Sequence, residues 1–501
     1  MTNVEFTGEV TTNIARGNAW YNNLVGKPYS ATGTGKLILN GYEMVANGVG
    51  MKDGVYFVMS AQGLAWVEAQ EDKYFAGKTI KLANDIDMTG VTIEKPIHFW
   101  NGRTTFDGQN YTISNLTMST TSTEKKPFGL FGGTADIKNV KFDNANISGY
   151  SYVAVVAGNL YGNIENCHVS NSSVTCTYWM AGAMSGQYNA GNVTNCSVTN
   201  TTITGPAAVG ALIGNINETA GERKVENCTV TGCTVAQNGS FGGDYDQMFG
   251  ADVGLINIEN STVHFNGCTV ENTTVKGNAS TTLYGVCDSS TTVLINGGKV
   301  VTTLAQLEAA LTNDNTVIIG ADIKDATIQL PATLNNFTLR AAEGVVLKNT
   351  TISSADGNAY HYENLTFDGI TFDNSRIFLT GWRNGEEIIK NLTVTNCVFK
   401  NIEDTTNTAA VHINKDASEP VVNFTFTNNV INGAIGGSKS GVYAQVTGKV
   451  VFENNVINNV SFRPYVIQIT TDDGIADTFT VCGNTFSGPS VRCHDHDHRR
   501  H

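Results

Sequence analysis

From Ile164 the chain reads Ile-Glu-Asn-Cys-His-Val-Ser-Asn-Ser-Ser-Val-Thr, and from Val193 it reads Val-Thr-Asn-Cys-Ser-Val-Thr-Asn-Thr-Thr-Ile-Thr. The same phrase starts at Ile137, Val225 and Phe265, so the copies begin 27, 29, 32 and 40 residues apart. Like chemistry falls in like columns. Asn139, Asn166, Asn195, Asn227 and Gly267 form one column; Val140, Cys167, Cys196, Cys228 and Cys268 form the next; Phe142, Val169, Val198, Val230 and Val270 follow two residues on. A second set reads LTFDGITFDN from Leu365, with counterparts from Leu392, Phe424, Val450 and Phe479 at spacings of 27, 32, 26 and 29. Its fifth column is Gly369, Asn396, Asn428, Asn454 and Gly483.

Apolar and polar residues alternating at period two indicate strands with one buried face. A repeat near 27 residues, broken by Asn and Gly, holds two or three such strands and is one coil of a solenoid. A single coil cannot bury its apolar face, so coils must stack. The Asn/Gly columns are read as the bends, where these residues accept left-handed backbone angles and where stacked amides can bond along the column. A β-propeller blade needs about 40 to 50 residues and four strands, which these spacings do not match. The expected fold is all-β: a right-handed, single-stranded parallel β-helix in two consecutive coil arrays. Ser60 and Thr303 each precede a short helical stretch, Ala61–Trp66 and Leu304–Leu307, and are read as caps of helices that cover the start of each array. The expected organisation is a strand-rich cap over 1–55, a first array over 56–299, a second over 300–488 and a tail over 489–501. That tail, with four His in its last eight residues, is read as an added purification extension, with metal binding as the alternative.

Composition narrows the function. Charged residues are 15% of the 501, and the net charge is −14 with no cluster of Lys and Arg, which excludes a phosphate-tracking surface and hence nucleic acid. No apolar run approaches the roughly 18 residues that span a bilayer. Met1–Glu5 lacks the basic and apolar regions of a secretory signal, so export is expected to use a leader outside this sequence or another route, as for a phage structural protein. Ten cysteines suggest disulfides, but Cys167, Cys196, Cys228 and Cys268 fall in one column with parallel side chains, a poor geometry for bonding, and are read as buried thiols. Cys176, Cys233, Cys287, Cys397, Cys482 and Cys493 share no column, and bonds among them stay open.

Pro127-Phe128-Gly129-Leu130-Phe131-Gly132 resembles the signature of GLUG-motif surface proteins of the gut Bacteroidetes type, with looser echoes at Gly210–Gly214 and Val155–Gly158. The likeness covers 55 to about 300; residues 300–488 are similar only to generic pectate-lyase-like repeats. Such families are described as adhesins, so the resemblance implies an extracellular or cell-surface protein. The motif itself is structural, its glycines read as allowing tight turns.

An enzyme on this fold needs paired carboxylates, or calcium-binding Asp with a basic residue, on one outward face. In the second array the strand after each phrase places Phe378, His412, Tyr443 and Gln468 in an outward column, followed two residues on by Thr380, Asn414, Gln445 and Thr470. Rings and amides suit the apolar faces and hydroxylated edges of sugars, and no carboxylate pair accompanies them. The expected ligand site is therefore Phe378, His412, Tyr443, Gln468, Asn414 and Gln445, binding glycan without cleaving it, with a solvent-tolerant sheet face as the plain alternative. No cofactor is expected. Calcium remains an option at Asp472, Asp473 and Asp477, which otherwise read as a solvated loop. Asp244, Asp246 and Asp252 lack the spacing of a calcium loop, and Arg376, Arg383, Glu386, Glu387 and Lys390 around Trp382 read as loop ion pairs. The expected function is a non-enzymatic adhesin or glycan-binding scaffold whose partner is a glycan or another surface ligand. Two alternatives stand: a phage tail-spike, which would be a trimer, and a polysaccharide lyase or hydrolase.

Overall fold

A computed structural model describes residues 10–12, 37–39, 41–71, 73–217, 220–355, 360–380, 388–402, 409–414, 423–432, 441–446, 448–458, 467–470 and 478–487. The tail, Trp382 with Arg383, Glu386 and Glu387, the Asp472–Asp477 loop and Cys493 lie outside the described residues. Two compact units result, Met1–Asn296 and Gly297–His501. Each is a parallel β-helix, as the repeats predict.

In the first unit the phrase from Ile137 becomes the end of strand Phe131–Lys138, then Lys141–Asp143, then Asn146–Ala154. The next coil repeats this with Ile164–Glu165, His168–Ser170 and Ser173–Gly182. The strands of these coils pair in parallel, and the short middle strands keep one register throughout: Phe142 pairs with Val169, Val169 with Val198, Val198 with Val230 and Val230 with Val270. The second unit does the same, with Leu347, Phe372, Phe399, Ile431, Ile457 and Phe486 in one column. Its core rings stack flat, Phe372 on Phe399 at 4.6 Å and Phe426 on Phe452 at 5.1 Å, close to the strand spacing of about 4.8 Å. Both expected helices form. Ala61–Glu68 is capped by Ser60 Oγ accepting from the Gly63 N–H, and Leu304–Ala310 by Thr303 Oγ1 accepting from the Gln306 N–H. Ahead of the first helix, Tyr42–Ala46, Val49–Lys52 and Val55–Val58 form an antiparallel meander, and Val55–Val58 joins the coils by pairing in parallel with Thr79–Leu82.

The bends are where the columns place them. Asn139, Asn166, Asn195 and Asn227 take φ of 50–55° and Gly267 takes 62°; Gly369, Asn396, Asn428, Asn454 and Gly483 take 54–70°. Asn is tolerated there because its short side chain bonds locally. The amides also bond between coils: Asn166 Nδ2 donates to Asn139 Oδ1 at 2.9 Å, and Asn391 Nδ2 to Asn364 Oδ1 at 2.8 Å.

Immediately after the bend, the side chain turns inward, and two solutions occur at the same place. In the first unit it is the cysteine column: each Sγ donates to a carbonyl of the preceding coil, Cys167 to Ile137 and Cys196 to Ile164, both at 3.6 Å. In the second unit Cys397 donates likewise to Phe367 O, but Asn429, Asn455 and Asn484 then take over the position. Asn455 Nδ2 donates to Phe426 O at 3.0 Å and to Asn484 Oδ1 at 2.9 Å, and its Oδ1 accepts the Asn429 N–H at 2.9 Å. Asn429 and Asn455 are fully buried. The described cysteines are all free thiols, including the five for which disulfides were an open expectation. Burial pushes Cys176 up to about 11 and Cys397 up to about 12, so neither offers a thiolate at neutral pH.

The glycines of the GLUG-like stretch and its echoes, with Gly186 in a coil between them, serve close approach between coils. None of Gly129, Gly158, Gly186 and Gly214 has a positive φ, yet a Cβ on Gly129 would lie 2.7 Å from Ala154 O and one on Gly214 2.5 Å from Gly186 O. Adjacent coils pass too near for any side chain.

Asp252 is the exception inside this core. Met184 N donates to Leu212 O, Leu212 N to Asp252 O and Asp252 N to Leu283 O, so the carboxyl stands in line with two fully buried apolar side chains. It is itself fully buried, and neither oxygen has a hydrogen-bond partner among the described residues. It therefore belongs to no loop with Asp244 and Asp246. Burial, with Cys268 a lesser cause, raises its pKa well above the usual carboxylate range.

Three outcomes test this description. Replacing Asn455 with Ala leaves buried donors and an acceptor unmatched and should cost on the order of 3 kcal/mol in denaturant unfolding, whereas Asn455→Cys, which copies Cys397, should cost less; equal losses would count against the shared role. Alkylation of the native protein, followed by peptide mapping, should label exposed Cys482 while Cys167, Cys196 and Cys397 react only after unfolding. For Asp252 the fold binds a proton that the unfolded chain, with a carboxyl near 3.9, has released. Stability is thus greatest below that value and falls by about 1.4 kcal/mol per pH unit as pH rises toward the raised value in the fold. Asp252→Asn should stabilise at pH 8 and change little at pH 4, read by thermal unfolding; the same gain at both would contradict it.

Candidate functional site

In the second unit the third sheet stacks strands Thr351–Ser353, Arg376–Thr380, Val411–Asn414, Val442–Gln445 and Ile467–Thr470. Ile377, Leu379, Val411, Ile413, Val442 and Ala444 are completely buried. Alternation then turns the intervening residues away from the core. Register places Ser353 against Phe378, Phe378 against His412, His412 against Tyr443 and Tyr443 against Gln468, the column read from the sequence. Thr380 pairs with Asn414 and Gln445 with Thr470; for Asn414, Gln445 and Gln468 the structure describes the backbone alone.

The three rings form a continuous ladder. Phe378 and His412 lie 5.0 Å apart at 52°, and His412 and Tyr443 lie 5.0 Å apart at 42°. The Arg376 guanidinium covers one side of Phe378 at 4.8 Å, a cation–π contact, and burial lowers its pKa from the usual arginine value. Arg376 therefore belongs to this strand and Lys390 to strand Ile388–Thr395, not to the loop expected around Trp382. His412 is 4% exposed while Phe378 and Tyr443 are half-buried. The ladder thus differs from an open strip: the imidazole is held between two rings, and its neighbours offer the accessible surface.

No member of this column is a carboxylate. Two acids on outward faces elsewhere are held by arginines. Asp368 accepts from Arg340 Nε at 2.9 Å. In the first unit a shallow groove is lined by Thr105, Asp136, Lys138, Asn163 and Glu165, where Arg103 grips Asp136 through two bonds of 2.6 Å. Burial alone would raise Asp136, but the Arg103 contacts and the Asn163 N–H outweigh it and hold the carboxyl below its ordinary value. A carboxylate fixed in this way is a poor proton carrier near neutral pH. Among the described residues no three His, Cys, Asp or Glu converge on a point where a metal could sit.

Neither a family model nor a curated protein matches this chain. Among solved structures it is similar to a putative immunoglobulin A1 protease from Bacteroides ovatus, at 15% identity over 73% of this chain and 85% of that one, with a TM-score of 0.31. It is also similar to the PL6 family alginate lyase AlyGC, at 11% identity over 86% of this chain and all of that one, with a TM-score of 0.16. Likeness this remote assigns no activity, and the function has to be argued from the site.

Proposed function

We propose that this protein is a non-enzymatic glycan-binding adhesin of an extracellular or cell surface, and that the ring ladder of the second unit is its contact face. The observation that carries the reading is the register of Phe378, His412 and Tyr443, three rings at 5.0 Å intervals on an outward column without an acid. A ring face stacks on the C–H face of a pyranose, and amides such as Gln468, Asn414 and Gln445 match its hydroxyls. His412 acts as the spacer that keeps Phe378 and Tyr443 in line. A sheet-borne site of this kind is preorganised, so little ordering entropy opposes binding. The absence of a carboxylate pair from the column supports binding over cleavage.

The double replacement Phe378→Ala with Tyr443→Ala should abolish or weaken glycan-array binding by roughly tenfold or more, while His412→Leu, which keeps the packing, should weaken it less. Undiminished binding by the double variant would overturn the assignment. Incubation with acidic polysaccharides should release no unsaturated product; ultraviolet absorbance growing with time would instead establish a lyase.

A further inference from the structure

The first unit carries a second aromatic surface, built by three departures from its own repeat. The pairing of Asn146–Ala154 with Ser173–Gly182 slips between Gly149↔Cys176 and Ser151↔Trp179, so the later strand holds one extra residue. A bulge of this kind re-aims side chains, and here Tyr178 and Trp179 both escape burial in the core. Tyr150 stacks on Tyr178 at 4.8 Å with the planes 9° apart. Just beyond the slip, still within these two strands, Tyr152 and Met180 adopt φ of 52° and 67°, a conformation side chains of their size rarely take.

The third departure is the 40-residue interval between the phrases at Val225 and Phe265, against 27 to 32 elsewhere. Its surplus forms a loop ending in the short 3₁₀ helix Gly243–Gln247. The loop is pinned in place: Asn238 Nδ2 donates to Cys176 O at 2.9 Å, Gln237 and Ser240 donate to the Asp246 carboxylate, and Lys276 Nζ donates to Asp246 O at 2.8 Å. What it delivers is Phe241 and Tyr245, placed against Trp179 at 5.9 and 5.4 Å. An insertion that served only to bury its rings would bury them, yet Phe241 is 45% and Tyr245 44% exposed.

At the Tyr178 end stands a cation. Lys125 Nζ lies 4.7 Å over the Tyr178 ring. The adjacent Lys126 is taken by Glu124 at 2.6 Å, whereas Lys125 has no carboxylate partner among the described residues. In a chain of net charge −14, an uncompensated ammonium beside exposed rings and phenols is complementary to an anion attached to a ring-shaped, hydroxylated ligand.

We infer that Trp179, Phe241 and Tyr245 with Tyr178 and Lys125 form a second saccharide site, selective for a sugar that bears a carboxylate: the sugar stacks on the exposed rings and its acid group meets the Lys125 ammonium. This rests on the glycan-binding reading for its class of ligand but uses none of the ladder residues. The pinned loop makes the site rigid before binding, and Lys125 makes it sensitive to salt.

The test is calorimetric titration of the full chain with oligogalacturonate and with a sialylated oligosaccharide, each beside its neutral counterpart, at low and high salt. Phe241→Ala with Tyr245→Ala changes exposed side chains only and should reduce acidic-sugar binding roughly tenfold or more. Lys125→Ala should remove the preference for the acidic sugar and its salt dependence. Equal binding by the Phe241/Tyr245 variant, or a wild-type preference for neutral sugars, overturns the inference. The Phe378/Tyr443 variant separates the two sites. Acidic-sugar binding lost in it and kept in the Phe241/Tyr245 variant leaves the ladder standing and ends this proposal. The reverse result supports this site and removes the ladder.

Discussion

The parallel, in-register contact between one coil and the next is the constraint from which the other features follow. A parallel pair forms evenly spaced bonds only if each strand repeats its predecessor's direction and phase, so the chain must return to the same azimuth every turn. The left-handed asparagines allow that return. Asn139, Asn166, Asn195 and Asn227 bend the backbone at the same point of successive coils, and the amides of Asn166 and Asn227 donate to those of Asn139 and Asn195 in the preceding coil. Once the phase is fixed, every inward position becomes a column, and a column selects for residues that tolerate copies of themselves directly above and below. Flat phenylalanine stacks, thiols and interlocked amides are three answers to that one demand.

The exchange between Cys397 and Asn429 is instructive about how the core handles backbone groups. Both side chains reach a carbonyl of the preceding coil from the same place, the thiol weakly and the amide with an oxygen to spare for the Cys397 N–H of that coil. A small hydrophobe with a weak donor and a fully bonded amide can therefore alternate along one column. Asp252 shows the opposite case, a carboxyl in an apolar column with no hydrogen-bond partner among the described residues, where burial favours its protonated form.

Period and column chemistry made the coils, both bends, the thiol ladder and the two capped helices legible in the sequence, because each repeats or carries a local capping signal. The ring ladder of Phe378, His412 and Tyr443 was legible for the same reason, although the burial of His412 was not: it depends on how far the flanking rings lean over the imidazole. What escaped reading lacks a repeat. Tyr178, Trp179, Phe241 and Tyr245 are brought together by a one-residue bulge and a single long interval, and neither has a counterpart to compare with. Asp252 resembled a loop acid beside Asp244 and Asp246, and only the register of its neighbours turns it inward. The inward role of Asn429, Asn455 and Asn484 was hidden because each follows a bend residue, or is one of a pair, that already explained an amide there.

Spin labels on the half-buried threonines of one outward column of the second unit test the stacking most directly. Thr338, Thr366, Thr393 and Thr425 are successive register partners. Label separations should grow by about 4.8 Å per coil, from neighbouring pairs to Thr338 with Thr425, though those two are far apart in the chain. Separations that do not increase evenly, or that place Thr338 and Thr425 across a wide hub, would contradict the parallel stack.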